Sequence, residues 1–293
     1  MSGAHDPWPE HCRRELVAAM LEAAELFPHS GQDRADRIHE ARKALKKARA
    51  LVRLFVASDD LAAYDVISAL DKARRSIGQA RNLDVMPAVL KSLAGEVDAD
   101  TTEQLAKAIA FEREVARIAH DDVDVLALAT QLRGLARSIE AWDISQLTNA
   151  TLLKIVRTTY RGARRLGRKA FADGASGELH DLRTIVVELG YQFASFQAAW
   201  PALFTVMTAE MQKLRQQLGD VNDLTMLAEF ANSRHDLSLT RMSNLALKIE
   251  RRQGRLARRA QARFARLFTE RPGALEKRLA AYLENSKTKA KAL

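Results

Sequence analysis

Basic side chains concentrate on one face of a predicted helix that begins near Arg34. At about 100° per residue, apolar residues from Ile38 to Phe55 fill one arc, as expected of a core face. A neighbouring arc of roughly 80° is basic, and it holds His39, Arg42, Lys46, Arg49 and Arg53, with Lys43 and Lys47 further round. Like charges three or four residues apart repel each other by a few tenths of a kcal/mol per pair. Only Asp36 and Glu40 are acidic nearby in the sequence, so we expect no internal counter-ions to offset this repulsion. An external anion is therefore expected to stabilise the stripe.

Two further predicted helices carry basic residues on one side. The first contains Arg157, Arg161, Arg164, Arg165 and Arg168. The second contains Lys248, Arg251, Arg252, Arg255, Arg258, Arg259, Arg263 and Arg266, with Glu250 as its acid. A guanidinium holds two phosphate oxygens at once, and helical turns of about 5.4 Å repeat such donors along a linear ligand. A solvated surface is the alternative for any one helix, but three together favour a groove for a long polyanion.

The composition is typical of a globular helical protein with an anionic partner. Hydrophobic residues make up 47% and charged residues 28% of the 293 residues, and the few breakers, 13 Gly and 6 Pro, favour long helices. A net charge of +9 favours nucleic acid, a membrane surface or a phosphate polymer as partner. The single Cys12 excludes an internal disulfide and a thiolate metal cluster. We recognise no signal peptide and no membrane span, so a cytoplasmic protein is expected.

Apolar residues recur at helical spacing along nearly the whole chain, which predicts an all-α fold. The helices are predicted at residues 9–27, 34–57, 59–80, 82–94, 101–120, 122–140, 146–171, 177–196, 200–219, 222–235, 238–269 and 272–285. Gly78 and Gly219 are interpreted as helix C-caps or close-packing points. Asp84, Asp220 and Asp223 are interpreted as helix caps or as groups that orient arginines.

An internal repeat relates the two halves of the chain. The segment 38–42 (IHEAR) resembles the segment 179–183 (LHDLR), with His180 lying 141 residues after His39. The same offset aligns Gly78 with Gly219, as well as several positions between them. A constant register over such a length indicates two copies of one helical unit. We therefore predict a first helical bundle at residues 1–142, a second at 143–285 and a disordered tail at 286–293.

Enzymatic readings find less support in the sequence. There is no GxxxxGK[ST] loop and no GxSxG elbow, and Lys43 stands where a zinc-protease helix needs its second His. A metal held between His39 and His180 is disfavoured by the surrounding arginines, so neither a metal nor another cofactor is expected. Aromatic residues are 6% of the chain, and those near the basic stripes (Phe55, Tyr160, Phe196 and Phe264) occupy core-like positions, which weakens single-stranded nucleic acid as the ligand. A phosphohydrolase or phosphotransferase using His39 or His180, and a nucleic-acid-backbone binder, stay as alternatives.

Four motifs in order resemble the CHAD family, which is named for its histidines and its helical fold. They are the H-x-x-R signature with spaced basic residues at 38–55, then 78–85 (GQARNLDV), 179–183 (LHDLR) and 218–224 (LGDVNDL). The resemblance covers roughly residues 10–285. It implies two pseudo-symmetric up-down helical bundles that enclose a basic cavity, non-catalytic binding of inorganic polyphosphate, and association with polyphosphate granules. It leaves open whether the chain is a monomer or a homodimer.

The resemblance assigns His39, Arg42, Lys46, Arg49 and Arg53 to the cavity from the first half, and His180 and Arg183 from the second. Together with the basic helices, the predicted polyphosphate-binding residues are His39, Arg42, Lys43, Lys46, Arg49, Arg53, Arg81, Arg157, Arg161, Arg164, Arg165, Arg168, His180, Arg183, Lys248, Arg251, Arg252, Arg255 and Arg259. In the second copy, Thr184, Val187 and Gly190 replace basic residues of the first. We therefore expect an asymmetric site that depends mainly on the first half and on the two further basic helices.

Overall fold

A computed structural model describes residues 8–27, 34–58, 61–77, 81–119, 124–173, 176–234 and 238–291. At some helix ends, including Arg81, only the backbone is described. Over these ranges the chain is all-α, with eleven α-helices, one 3₁₀ helix and no strand beyond an isolated bridge between Ala94 and Val97. None of the helices in these ranges is long and apolar enough to cross a bilayer.

The helices follow the predicted order. They are α1 (Trp8–Leu26), α2 (Arg34–Val52), the 3₁₀ helix (Arg53–Ser58), α3 (Leu61–Ser76), α4 (Arg81–Ser92), α5 (Ala99–Ala119), α6 (Val125–Glu140), α7 (Asn149–Asp173), α8 (Ser176–Ala194), α9 (Pro201–Asn232), α10 (Leu239–Leu267) and α11 (Pro272–Lys291).

Several predicted helix boundaries differ from the structure. The predicted helix 34–57 divides into α2 and the 3₁₀ helix that begins at Arg53. The predicted helices 200–219 and 222–235 form the single helix α9, so Gly219 lies inside a helix and is not a C-cap. Leu218, Val221 and Leu224 are buried on either side of it, so packing holds the helix together through the glycine. The structure also extends α11 to Lys291, beyond the predicted end of this helix at residue 285. Gly78, the equivalent glycine of the first half, lies outside the described residues.

Helix α2 has the two neighbouring faces that its sequence predicts. Ala41, Leu45, Ala48 and Val52 are buried and belong to the main hydrophobic core. This face packs on α1 and α8. The basic residues Arg42, Lys46, Arg49 and Arg53 are half-buried next to it, whereas His39 and Lys43 are exposed. The stripe is therefore partly removed from water, and its charges lie along the junction between α2 and its neighbours.

The main core crosses the predicted boundary between the two halves. It contains buried residues of α1, α2 and α6 together with residues of α7, α8 and α11, for example Leu45 and Leu51 alongside Leu182 and Phe193. A smaller second cluster joins α4 and α5 to α9 and α10 through residues such as Leu90 and Leu227. The division into two bundles at residues 142 and 143 stays a prediction about the origin of the chain. The structure unites both sides of it in shared hydrophobic clusters.

The turn between α4 and α5 brings an acidic residue against α10. Gly95 has a φ of 81°, a left-handed conformation that glycine adopts without the steric strain of a Cβ. Asp98 then caps the start of α5 by accepting a hydrogen bond from the backbone N–H of Thr101 at 2.8 Å. Between them, Glu96 contacts Arg252 of α10 at 3.1 Å.

Candidate functional site

A pocket of about 240 Å³ lies where α2 and α8 meet, with α3, α4 and α9 at its sides. Helix α8 packs closely on both α2 and α9, which fixes the walls relative to one another. The pocket is lined by Arg42, Lys46, Arg49, Ala50, Arg74, Val85, His180, Arg183, Thr184, Val187, Glu188, Asn222, Asp223 and Met226. It therefore brings the H-x-x-R segments of both halves, which are 141 residues apart in the sequence, into one site.

The lining carries an excess of positive charge. Its cations are the side chains of Arg42, Lys46, Arg49, Arg74 and Arg183, and His180 can add a further charge when protonated. Its acids are Glu188 and Asp223. Four of the five permanent cations come from the first half of the chain. An anion in this pocket would meet several guanidinium groups within a partly desolvated space, where electrostatic attraction is stronger than at an open surface.

Contacts within the protein orient the arginines of the α2 wall. Arg42 donates a hydrogen bond from Nη1 to the backbone oxygen of Ile77 at 2.9 Å. Arg49 donates from Nε to Oδ1 of Asp71 on α3 at 2.7 Å, and Nε of Arg74 lies 3.7 Å from the same oxygen. Asp71 thus holds two guanidinium groups side by side. Charged side chains fixed in this way lose less conformational entropy when a ligand binds.

Glu188 is a buried carboxyl among these cations. It is 6% exposed and accepts a hydrogen bond at Oε2 from Nη1 of Arg53 at 2.9 Å. Burial raises the pKa of Glu188 above its usual value, and the positive charges of Arg53 and Arg49 oppose this effect only in part. The carboxyl therefore has a higher tendency to take up a proton than an exposed glutamate.

The α8 and α9 walls hold the second H-x-x-R segment. Nδ1 of His180 lies 2.9 Å from Oδ1 of Asn222, so Nδ1 is the donor and Nε2 is left for another partner. The guanidinium of Arg183 packs over Gly219, where an added Cβ would lie 3.2 Å from Nη2. This close approach explains why a glycine is suited to the middle of α9. Burial, with the negative charge of Asp223, raises the pKa of the neighbouring Asp220, and Arg183 opposes that increase.

The expectation that the α2 stripe has no internal counter-ions is wrong. Beyond Asp71 and Glu188, Lys47 pairs with Glu15 of α1 at 2.7 Å, and Lys43 pairs with Glu40 at 2.7 Å. Helical spacing identifies acids on the same helix, but Glu15, Asp71 and Glu188 lie on other helices and approach only in the folded chain. Repulsion within the stripe is therefore offset from inside, and the stripe by itself is a weaker argument for an external anion.

The arginines of α7 lie away from the pocket. Arg157 pairs with Glu276 of α11 at 2.9 Å, and Arg164 donates to the backbone oxygen of Phe268 at 2.9 Å, just after the end of α10. Arg161, Arg165 and Arg168 are exposed. Two of the five are thus structural contacts between helices, and the other three form an outer surface.

The basic residues of α10 also lie outside the pocket lining. Arg252 donates to the backbone oxygen of Ser92 at 2.7 Å and pairs with Glu96, and Arg255 lies 3.8 Å from the same carboxylate. Lys248 is half-buried, whereas Arg251 and Arg259 are exposed. The side chain of Arg81, another predicted site residue, lies outside the described part of the chain.

Sequence reasoning missed three polar residues of the pocket. Arg74 could have been found, because it aligns with Arg215 in the internal repeat and lies one turn after Asp71 on the same predicted helix. Asn222 lies within the motif 218–224, although its contact with His180 was not foreseen. Glu188 gave no signal, since its role depends on a contact with Arg53 on another helix. The core assignment of the aromatic residues is confirmed, as Phe55, Tyr160, Phe196 and Phe264 are all buried. Among the described residues, no group of three or more His, Cys, Asp or Glu is placed to hold a metal ion.

Taken together, the fold and the site define an all-α protein with a basic pocket between helices. A family model for the CHAD domain matches residues 13–232, which is well over half of the chain, and the chain belongs to the CHAD family. This family is associated with polyphosphate binding and is generally a non-catalytic binding domain. The match ends with the last residue of α9, so α10 and α11 lie beyond it. No curated protein matches the chain.

Proposed function

We propose that the protein binds inorganic polyphosphate, without catalysis, in the pocket between α2 and α8. The observation that carries this proposal is the meeting of Arg42 and Arg183, the equivalent arginines of the two H-x-x-R segments, in one basic pocket. Family membership supports polyphosphate as the anion. Such binding in the cytoplasm would place the protein at polyphosphate granules.

The types of residue in the pocket suit a phosphate chain better than a nucleic acid. Arginine grips tetrahedral phosphate oxygens in a bidentate manner, and the lining supplies four arginines and a lysine within one short space. Binding of single-stranded nucleic acid usually adds aromatic side chains on which bases stack. Within the part of the chain that the structure describes, no aromatic residue lines the pocket. Duplex DNA, a wide rigid polyanion, would contact an exposed surface and would not enter a pocket of this size.

The order of the helices supports the proposed duplication of a single helical unit. Helix α2 begins at Arg34 and α8 at Ser176, while α5 begins at Ala99 and α10 at Leu239, so corresponding helices recur at close to the 141-residue offset of the histidines. Under this proposal the α3 and α4 pair corresponds to the single helix α9. The pocket then lies on the pseudo-twofold axis between the bundles 1–142 and 143–285.

We propose an asymmetric grip on the chain of phosphates. Lys46 and Arg49 of the first half correspond to Val187 and Gly190 in the second, and Val187 lines the pocket as an apolar residue. Thr184 replaces Lys43 and also lines the pocket. The first half thus contributes most of the charge, and the second half contributes Arg183 and His180.

The proposal is tested with two double variants that remove the same charge. Lys46→Gln with Arg183→Gln removes two cations from the pocket lining, whereas Arg161→Gln with Arg165→Gln removes two from the exposed face of α7. Isothermal titration with long-chain polyphosphate at near-physiological salt is expected to show at least about a tenfold higher Kd for the pocket variant. The α7 variant is expected to change Kd by less than about threefold, since surface charges are screened.

Competition by duplex DNA at the same salt completes the test, because all phosphate contacts weaken as salt rises. Equal affinities for polyphosphate and DNA would contradict polyphosphate as the specific ligand. Equal losses in the two double variants would contradict the pocket as the site, since general charge would then account for the binding. Circular dichroism of each variant establishes that the helices are retained.

A further inference from the structure

We propose that Glu188 is a displaceable internal counter-ion: when a polyanion enters the pocket, Arg53 exchanges its bond to the Glu188 carboxylate for a phosphate oxygen, and Glu188 takes up one proton from solvent. This inference rests on the proposed function, because it concerns how the same pocket accepts its anion. Glu188 would lower the affinity of the pocket for the polyanion and would make that affinity depend on pH.

The two side chains of the Arg53 and Glu188 ion pair differ in their exposure to solvent. The side chain of Glu188 is 7% exposed and lines the pocket, whereas the side chain of Arg53 is 38% exposed and lies one helical turn beyond Arg49. A half-exposed guanidinium can turn to a new partner, while the buried carboxyl stays in place at the wall of the pocket. An entering phosphate therefore competes with Glu188 for the same cation.

A neutral Glu188 has a partner already in place. Buried polar side chains follow one another along α8, at Glu188, Gln192 and Ser195. Gln192 is fully buried, and its Nε2 lies 3.5 Å from Oε1 of Glu188. Its Oε1 has no hydrogen-bond partner among the described residues. Rotation of this amide would present its oxygen to a protonated Glu188, which would then donate its O–H. The added O–H of Glu188 thus gains an acceptor, while Nε2 of Gln192 leaves its 3.5 Å contact with the backbone oxygen of Ala50.

The charges around Glu188 determine the direction of the coupling. Facing it are Arg53 from the 3₁₀ helix, Arg49, Arg42 and Lys46 from α2, Arg74 with Asp71 from α3, His180 and Arg183 from α8, and Asp223 from α9. Of these groups, Arg53 and Arg49 stabilise the ionised carboxylate against its burial. A polyanion neutralises the same cations and adds negative charge nearby. Both effects raise the proton affinity of Glu188, so binding is accompanied by proton uptake.

The test measures protons as well as affinity. The full chain is titrated with long-chain polyphosphate, whose interior phosphates stay ionised, in two buffers of equal pH and different ionisation enthalpy, between about pH 5 and 7. The difference in apparent enthalpy gives the number of protons taken up. The native protein is compared with Glu188→Gln and with the matched control Asp223→Asn, which removes a charge from the same lining but leaves the contact between Glu188 and Arg53.

We expect Glu188→Gln to lower Kd by about fivefold or more and to take up fewer protons than the native protein, because its side chain neither repels the anion nor titrates. Asp223→Asn is expected to retain the native uptake. An unchanged or higher Kd in Glu188→Gln, or equal uptake in Glu188→Gln and the native protein, would overturn the role of Glu188 while leaving polyphosphate binding intact. Absence of polyphosphate binding by the native protein would overturn the proposed function and this inference with it.

If Glu188→Gln does not fold, a second variant tests the proposal. His180→Gln removes the histidine from the pocket lining but leaves Glu188, Arg53 and Gln192 in place. Proton uptake on polyphosphate binding that persists in this variant supports Glu188 as the acceptor. Uptake that disappears would assign the proton to His180 and overturn the proposal.

Discussion

Glu188, Arg49 and Arg53 illustrate how a residue acquires its properties from neighbours that are distant in sequence. In the linear chain Arg53 belongs to a basic stripe, and Glu188 is one acid of an ordinary amphipathic helix. In the fold they are 2.9 Å apart, beside a pocket whose other walls are basic. A buried ion pair gains its attraction at the expense of desolvation, so such a pair contributes little net stability. The position of this ion pair at the edge of the pocket fits the proposed role in anion binding better than a role in stabilising the fold.

The pH dependence of stability provides a prediction at this scale. Because the folded-state pKa of Glu188 lies above the ordinary value of 4.5, the folded protein binds this proton more tightly than the unfolded chain. The resulting stabilisation is fully present below about pH 4.5 and is lost as pH rises through the folded pKa. We expect the free energy of unfolding of Glu188→Gln, relative to the native protein, to increase from pH 4.5 towards neutrality. Urea denaturation of both proteins across this range measures it, and a constant difference would contradict the expected shift.

At the scale of elements, a glycine allows helices α7 and α10 to approach each other closely. Gly167 is buried in α7, and a Cβ added there would overlap the ring of Phe264 on α10. Phe264 in turn stacks on Phe268 at 4.5 Å between ring centroids, and Arg164 binds the backbone oxygen of Phe268. The arginine-rich sequence of α7 therefore serves partly to attach the end of α10. The other arginines of this side, Arg161, Arg165 and Arg168, are exposed.

Two substitutions within α7 test this contact. Gly167→Ala is expected to destabilise the protein by roughly 1–3 kcal/mol, since Phe264 must move to admit the methyl group. Gly162→Ala is the matched control, because nothing lies within 4 Å of its added Cβ. It is expected to stabilise the protein by up to about 1 kcal/mol through helix propensity. Denaturant unfolding measures both, and a stabilising Gly167→Ala would show that the helices are not in close contact there.

Element boundaries show where sequence patterns are sufficient and where they are not. The starts of most helices are predicted within a few residues, because apolar periodicity and breakers such as Pro272 are local signals. The predicted break near Gly219 is wrong because a glycine lowers helix stability by only about 1 kcal/mol. The packing of α9 on α8 and α10 outweighs that effect. No local signal reports the strength of such packing.

On the scale of the whole molecule, the pocket and the main core are both formed by residues from the two halves of the chain. The walls of the pocket come from α2 and α8, and the main core contains residues from both sides of position 142. A polyanion bound between these walls would connect the halves and stabilise the folded chain as a unit. The net charge of +9 adds a long-range attraction, which salt screens over about 10 Å at 0.1 M.

The shared core predicts the behaviour of the isolated halves. Fragments 1–142 and 143–293 would each expose the faces through which α2 and α8 pack on each other. We expect neither fragment to unfold cooperatively on heating, since each has lost part of its apolar burial. Circular dichroism melts of the two fragments and the full chain measure this. A sharp transition in either fragment alone would identify it as an independent domain.

The site was predictable only in part, for reasons that particular residues make plain. Arg42, Lys46, Arg49, His180 and Arg183 were predicted and line the pocket, because helical spacing places them on one face of α2 and one face of α8. Arg157 and Arg164 were predicted too, but they contact Glu276 and the residues that follow α10. A helical wheel shows which side of a helix is basic. It does not show which other helix that side will meet.

The sequence by itself determined the helical fold, the basic character of the chain and the repeated H-x-x-R segments, since these follow from composition and from periodicity within single helices. The tertiary structure decided which basic residues share a pocket and which acids accompany them. Asp71, Glu188 and Asn222 approach their basic partners only when α3, α8 and α9 pack in place. Contacts between helices depend on the packing of whole faces, and no local pattern specifies that packing. The basic stripe on α2 is therefore predictable from the sequence, whereas its counter-ions are identified only in the folded molecule.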